Sequence, residues 1–73
     1  METEAKPEIR SHDVPDHTME REGKLYIAFE RHAVYYSVPL SNTALCAAIR
    51  QALKDKREVV FMHDRHCRIS SIE

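Results

Sequence analysis

Alternating apolar and polar residues predict two strands, over Lys24–Glu30 and Ala33–Leu40. Every second residue is apolar, which is the period of a strand with one buried face. A loop at Arg31-His32 sets Ile27 opposite Tyr36 and brings the apolar residues of both strands to the same face. Because Arg-His does not favour a primed two-residue turn, a four-residue loop in the same register is equally acceptable. The pattern therefore predicts an antiparallel hairpin whose apolar face consists of Leu25, Ile27, Phe29, Val34, Tyr36 and Val38.

A helix is predicted next, over Asn42–Lys56, because the period of the apolar residues changes from two to between three and four. Its stripe is formed by Leu45, Ala48, Ile49, Ala52 and Leu53. Ser41 is the expected N-cap, since a hydroxyl there can accept a hydrogen bond from the first turn.

Two further strands are predicted at Glu58–His63 and Cys67–Ile72, joined by a turn at Asp64-Arg65. Ile69 and Ile72 lie on opposite faces of a regular strand, so a bulge or a longer loop is needed to bury both. The predicted order is β-β-α-β-β. The fold class is α+β, with a small antiparallel sheet of three to four strands and one helix packed on one face.

Residues 1–22 contain only scattered apolar side chains and are predicted to be a disordered acidic tail. The small α+β domain then comprises residues 23–73. One alternative remains open at the boundary, because Glu22-Gly23 can form a two-residue turn that pairs residues 17–21 with the next strand as an extra edge strand.

Charge divides the 73-residue chain at the same boundary. Seven carboxylates and three basic residues give residues 1–22 a net charge of −4, and residues 23–73 carry +3 from eight basic and five acidic residues. Neither value is typical of a dedicated nucleic-acid binder. With no secretory signal pattern and no apolar run of membrane-spanning length, we expect a cytoplasmic protein with reduced thiols and no membrane association.

The predicted topology gathers cations at one end of the sheet. The first turn and the end of the helix meet there, and the expected binding surface, the basic end patch, consists of Arg31, His32, Lys54, Lys56 and Arg57. Such a patch can bind phosphate groups of nucleic acid or an acidic protein surface. Helix C-termini and hairpin tips also carry charges for ordinary reasons, so both interpretations stay open.

A second candidate surface is the sheet face that the helix leaves uncovered. Tyrosine is favoured in interfaces, and the third strand is apolar on both faces. The predicted interface residues are Tyr26, Tyr35, Val60 and Met62, and a small core favours a homodimer through this face.

The segment His63–Cys67 is a weak candidate for metal binding, with His63, His66 and Cys67 as ligands. No C-x-x-C pair accompanies them, so we expect no metal and no other cofactor. Catalysis is not expected either, because glycine-rich phosphate loops and inward-facing acid–base groups are missing from the pattern.

The sequence thus favours a non-catalytic macromolecular interaction module: a homodimeric accessory or regulatory protein that binds another protein. A small nucleic-acid-associated regulator that uses the basic end patch is the alternative. A metal- or redox-responsive protein is the second alternative. The identity of the partner is not encoded in the pattern.

Overall fold

The computed structural model describes residues 8–73 of the chain. Within that range it has six strands and one helix, in the order β1 (Ile9–Asp13), β2 (Pro15–Arg21), β3 (Lys24–Phe29), β4 (Tyr35–Pro39), α1 (Thr43–Asp55), β5 (Val59–His63) and β6 (Ile69–Ile72).

The strands form two antiparallel sheets of three strands each, β1-β5-β6 and β2-β3-β4. A parallel bridge between Ser37 and Arg68 links them, and the Ser37 N–H donates to the Cys67 carbonyl at 2.9 Å. The α+β class is confirmed, and the predicted β-β-α-β-β order corresponds to β3, β4, α1, β5 and β6. Two sheets are present where one sheet of three to four strands was predicted, and the predicted tail supplies one strand to each, β2 beside β3 and β1 beside β5.

Disorder is the wrong prediction for residues 9–21, which form β1 and β2. β2 pairs with β3 through the turn at Glu22-Gly23, where both residues have positive φ angles of 52° and 79° as a primed hairpin turn requires. Val14 separates β1 from β2, and β1 belongs to the other sheet, where it pairs with β5. Residues 9–21 lack an apolar stripe, and backbone hydrogen bonds to β5 and β3 hold them in strands instead. The part of the predicted tail over residues 1–7 lies outside the described residues.

The hairpin of β3 and β4 has the predicted register, with Ile27 opposite Tyr36 and Leu25 opposite Val38. Val34 is the exception, because β4 begins only at Tyr35 and the connecting loop leaves Val34 47% exposed. The connection between Phe29 and Tyr35 is longer than a two-residue turn, since Arg-His does not favour a primed turn.

Helix α1 buries Leu45, Ile49 and Ala52 of the predicted stripe and also Cys46, whereas Ala48 and Leu53 are half-buried. The N-cap is Asn42 rather than Ser41, and its side-chain oxygen accepts from the Leu45 N–H at 3.2 Å. The helix ends at Lys56, whose left-handed backbone directs its N–H towards the last carbonyls. It packs against β2, β4 and β6.

The hairpin of β5 and β6 contains the bulge that its sequence predicts. A register shift between Met62 and His63 pairs Ile69 with His63 and Ile72 with Phe61. Ile69 is buried and Ile72 packs at the edge of the core, so the bulge reconciles two residues that a regular strand would separate.

The core lies where the inner faces of the two sheets and the helix meet. The rings of Phe29 and Phe61, one from each sheet, stack with their centroids 4.5 Å apart. Both rings also contact Tyr36. Among residues 8–73 there is no helix with the length and apolar character needed to cross a bilayer.

Candidate functional site

The most completely bonded polar group in the described range is the carboxylate of Asp13, at the end of β1. Its side chain is fully buried. Oδ1 accepts from the Val14 N–H at 2.7 Å and from Arg31 Nε at 3.3 Å. Oδ2 accepts from the Arg31 N–H at 2.8 Å and from His32 Nδ1 at 2.6 Å. The carboxylate thereby ties β1 to the loop between β3 and β4.

Two opposing effects act on the pKa of Asp13. Burial favours the neutral acid and would raise the pKa, but the hydrogen bonds from His32, Val14 and Arg31 together outweigh it, so the pKa lies below the ordinary value of 3.8. Asp13 is therefore a carboxylate at neutral pH, and it directs the Nδ1 proton of His32 towards itself. The other ring nitrogen of His32, Nε2, points away from this bond.

A second carboxylate, Glu58, lies on the solvent side of Arg31. Its Oε2 accepts from Arg31 Nη2 at 2.8 Å and contacts His12 Nδ1 at 2.9 Å. These bonds, from His12 first and then from Arg31, lower the pKa of Glu58. The bond to Glu58 is also the main reason that the pKa of Arg31 is raised. Both partners are half-exposed, so this outer pair contributes little to stability.

Ser11 and His63 form a separate pair, from facing strands β1 and β5. Ser11 Oγ lies 3.0 Å from His63 Nε2, and His63 Nδ1 lies 2.8 Å from the Asp64 carbonyl oxygen. His63 is only 5% exposed, with its ring centroid 4.8 Å from that of Tyr36 and 5.5 Å from that of Phe61. Burial raises the pKa of Tyr36, so its phenol stays neutral beside this histidine.

Ser11 and His32 open onto the same shallow depression, which has a volume of about 350 Å³. It is lined by Arg10, Ser11, His12, Arg31 and His32. We call it the Ser11 depression. All five side chains carry hydrogen-bond donors, which suits a ligand with acceptor oxygens.

The basic end patch is brought together in part. Arg31 contacts Glu58, the residue that follows Arg57, so the first loop and the end of the helix do meet. Arg31 and His32 are bonded to Asp13, however, and their charge is compensated there. Lys54, Lys56 and Arg57 are exposed on the helix end. The binding role of this patch stays a prediction.

The predicted interface residues fall on two different surfaces. Tyr26 and Tyr35 lie on the outer face of β2-β3-β4, whereas Val60 and Met62 are half-buried on β5 in the other sheet. Tyr26 and Tyr35 share a depression of about 430 Å³ with Met19, Arg21 and Glu22, and these five residues define the tyrosine face. On it Met19 is 44% and Tyr35 46% exposed.

His17 holds Tyr35 in place at the edge of the tyrosine face. Its Nε2 lies 2.9 Å from the Tyr35 hydroxyl, and the two rings pack edge to face with centroids 5.7 Å apart. The ring of Tyr35 is therefore oriented before any partner binds.

The weak metal candidates His63, His66 and Cys67 do not converge. His63 is engaged with Ser11 and the Asp64 carbonyl, and His66 is exposed in the turn. Over residues 8–73 no three His, Cys, Asp or Glu side chains are grouped as a metal site would require. Cys46 and Cys67 are both unbridged thiols.

The sequence patterns did not single out Ser11 or Asp13. Asp13 is bonded to Val14, Arg31 and His32, and Ser11 is bonded to His63. Ser11 and Asp13 lie two positions apart, so a strand would place both on one face. This two-residue spacing is present in the sequence. Because both residues are polar, however, a pattern of apolar positions does not reveal that they face inward. His63 was identified, but as a metal ligand and not as the partner of a serine.

Two solved structures share this fold. Crystal structures of pro-protein-glutaminase and of a mutant of it superpose with TM-scores of 0.74 and 0.75, at 23% and 22% sequence identity. Each match covers 85% of this chain and 23% of the other chain, so this chain spans about a quarter of that precursor. No protein-family model and no curated protein matches the sequence.

These matches correct the prediction that the chain is not an enzyme, because its fold occurs within an enzyme precursor. At this level of identity the likeness shows the fold alone. The sequence contained no signal for it, since the resemblance lies in the arrangement of strands and not in a motif.

Proposed function

We propose that this chain is a macromolecular interaction module of a protein-glutaminase-like enzyme system, and that it docks through the tyrosine face. The observation that carries the proposal is the clustering of Met19, Tyr26 and Tyr35 on the outer face of β2-β3-β4. Large, rigid aromatic side chains with a polar tip are enriched in interfaces, and an exposed apolar cluster with a charged rim is typical of a docking surface.

The fold comparison supports a protein partner of the protein-glutaminase kind. The matched fold makes up about a quarter of pro-protein-glutaminase, so the natural neighbour of such a module is the remainder of that precursor. The rim of the tyrosine face carries Arg21 and Glu22, which can set the orientation of a docked surface.

Binding to a protein-glutaminase that lacks the matched segment tests the proposal, with isothermal titration as the measurement. We expect saturable binding by the wild-type chain. Tyr35→Ala should weaken it at least about fivefold, as truncation of a buried aromatic anchor does. Ile9→Ala is the matched control, because Ile9 is similarly exposed, at 43%, on a strand of the other sheet. Equal affinities for wild type and Tyr35→Ala would contradict the assignment of the surface.

A homodimer through the same face is the second candidate, since Tyr35 and Met19 can pack equally well on a second copy. Sedimentation equilibrium of the chain alone distinguishes the two. Self-association that Tyr35→Ala abolishes favours the homodimer. A monomer that binds the glutaminase favours the module. A monomer that binds nothing overturns both.

Nucleic-acid binding by the basic end patch has less support, because Arg31 and His32 are committed to Asp13. If the basic end patch binds nucleic acid, the affinity should fall steeply as the salt concentration rises, and binding should be lost when Lys54 and Lys56 are replaced by glutamine.

A further inference from the structure

The imidazole of His63 presents a lone pair to a serine hydroxyl. A carbonyl oxygen can only accept a hydrogen bond, so the contact at 2.8 Å between His63 Nδ1 and the Asp64 carbonyl places the ring proton on Nδ1. In the neutral imidazole Nε2 is then the acceptor for the Ser11 hydroxyl, at 3.0 Å. A nucleophile bonded to a base that a third group orients is the recurring arrangement of nucleophilic catalysis.

This arrangement is held in place before any ligand binds. The ring of His63 is buried against Tyr36 and Phe61 and cannot rotate away. Asp64, which supplies the orienting carbonyl, is itself fixed: its carboxylate accepts from the His66 N–H, the Arg68 N–H and Arg68 Nε at 2.8, 3.0 and 2.8 Å. Fixed catalytic geometry removes an entropic cost from the reaction.

Ser11 itself is accessible, since it is half-buried and lines the Ser11 depression while His63 lies behind it. A volume of about 350 Å³ accommodates a small acyl group. Arg10 and Arg31 line the same depression. Their guanidinium groups are ion-paired with Glu73, Asp13 and Glu58, and the N–H groups not used in those pairs are the donors available to the oxyanion of a tetrahedral intermediate.

We propose that Ser11 and His63 form a nucleophile–base pair that hydrolyses small carboxylic esters through an acyl-Ser11 intermediate. Ser11 Oγ attacks the carbonyl carbon while its proton passes to His63 Nε2. The ester C–O bond breaks, and the departing alcohol takes the proton from His63. A water molecule then attacks the acyl carbon and gives one proton to His63. The bond between the acyl carbon and Ser11 Oγ breaks, and His63 returns the proton to Ser11 Oγ as the carboxylic acid leaves. This activity is separate from docking through the tyrosine face.

Covalent labelling of the full chain tests the proposal. A fluorophosphonate forms a bond between phosphorus and Ser11 Oγ as fluoride leaves and the hydroxyl proton passes to His63. We expect one phosphonyl adduct, mapped to Ser11 by peptide mass spectrometry, together with release of p-nitrophenol from p-nitrophenyl acetate.

Ser11→Ala should abolish both signals. Ser70→Ala is the control, because Ser70 is an exposed serine whose hydroxyl donates to Glu8 at 2.8 Å, and it should leave both unchanged. His63→Gln should slow labelling of Ser11 by about 10²–10⁴-fold, the usual contribution of a general base. If His63→Gln does not fold, the site of the phosphonyl adduct on the wild-type chain is by itself the test of the proposal. An unlabelled Ser11 in the folded wild type, or an ester rate that Ser11→Ala leaves unchanged, overturns the proposal.

Discussion

Replacing Asp13 by asparagine removes the negative charge from the buried carboxylate with almost no change in shape. The four donors around Asp13 divide evenly between its two oxygens. Asparagine keeps one oxygen, so two of these hydrogen bonds survive and the other two donors face an amide NH₂ that cannot accept. If the NH₂ takes the place of Oδ1, the Val14 N–H and Arg31 Nε lose their acceptor. If it takes the place of Oδ2, the Arg31 N–H loses its acceptor, and His32 keeps a contact only by moving its ring proton to Nε2.

The expected cost follows from these lost bonds. A hydrogen bond to a charged group contributes about 1.5–3 kcal/mol, so losing two costs about 3–6 kcal/mol. The whole stability of a domain this small is about 3–5 kcal/mol. We therefore expect Asp13→Asn to be largely unfolded in buffer at 25 °C.

Urea denaturation followed by circular dichroism measures this effect. Asp16→Asn serves as the control, because Asp16 is exposed and bonded only to the neighbouring His17, and it should change the free energy of unfolding by no more than about 0.5 kcal/mol. An Asp13→Asn variant whose unfolding midpoint matches that of wild type would refute the view that this carboxylate ties β1 to the β3–β4 loop.

Three further predictions concern the rest of the fold. Ile49→Ala, at a fully buried position of α1, should lower the free energy of unfolding by about 2–5 kcal/mol in the same urea assay. Gly23→Ala should lower it by about 1 kcal/mol, because a φ of +79° strains any residue with a Cβ although space for that atom is open; an unchanged midpoint would contradict the turn geometry. Acid should destabilise the protein as pH falls from about 4 to 2. The backbone and side chain of Arg68 hold the pKa of Asp64 at about 2, below 3.8 in the unfolded chain, so its contribution is complete above pH 3.8 and is lost as the carboxylate protonates near pH 2. Thermal melts across this pH range measure whether the melting temperature falls as the pH is lowered. Asp64→Asn should make the melting temperature depend less on pH.

The elements that sequence could predict are those that bury apolar residues at a regular period. The hairpin of β3 and β4 and helix α1 have such a stripe, and strand β5 is apolar on both faces. Apart from Val34, each element forms where the pattern places it. Even the irregular last strand could be anticipated, since Ile69 and Ile72 cannot both reach the core without a bulge.

The first two strands could not be predicted in the same way. Their inward positions include Ser11 and Asp13, which are stabilised inside by hydrogen bonds and not by transfer of apolar surface from water. Their partners lie far along the chain, with His63 52 positions after Ser11. Periodicity describes neighbours in sequence and carries no information on such pairings. For the same reason the sequence pointed to single candidate residues but not to the Ser11–His63 pair.

The pairing of β1 with β5 has a consequence for the order in which the protein folds. β2, β3 and β4 follow one another through short connections, so this sheet can form from local contacts. β1 must instead wait for β5, because Asp13 at the end of β1 pairs with Val59, which lies 46 positions further along the chain. Closing so long a loop is slow compared with forming a hairpin. Until it closes, β5 has an unpaired edge next to Val60 and Met62, and a β1 strand from another molecule can occupy it. Refolding at high protein concentration should therefore yield strand-exchanged oligomers, whereas dilute refolding should not.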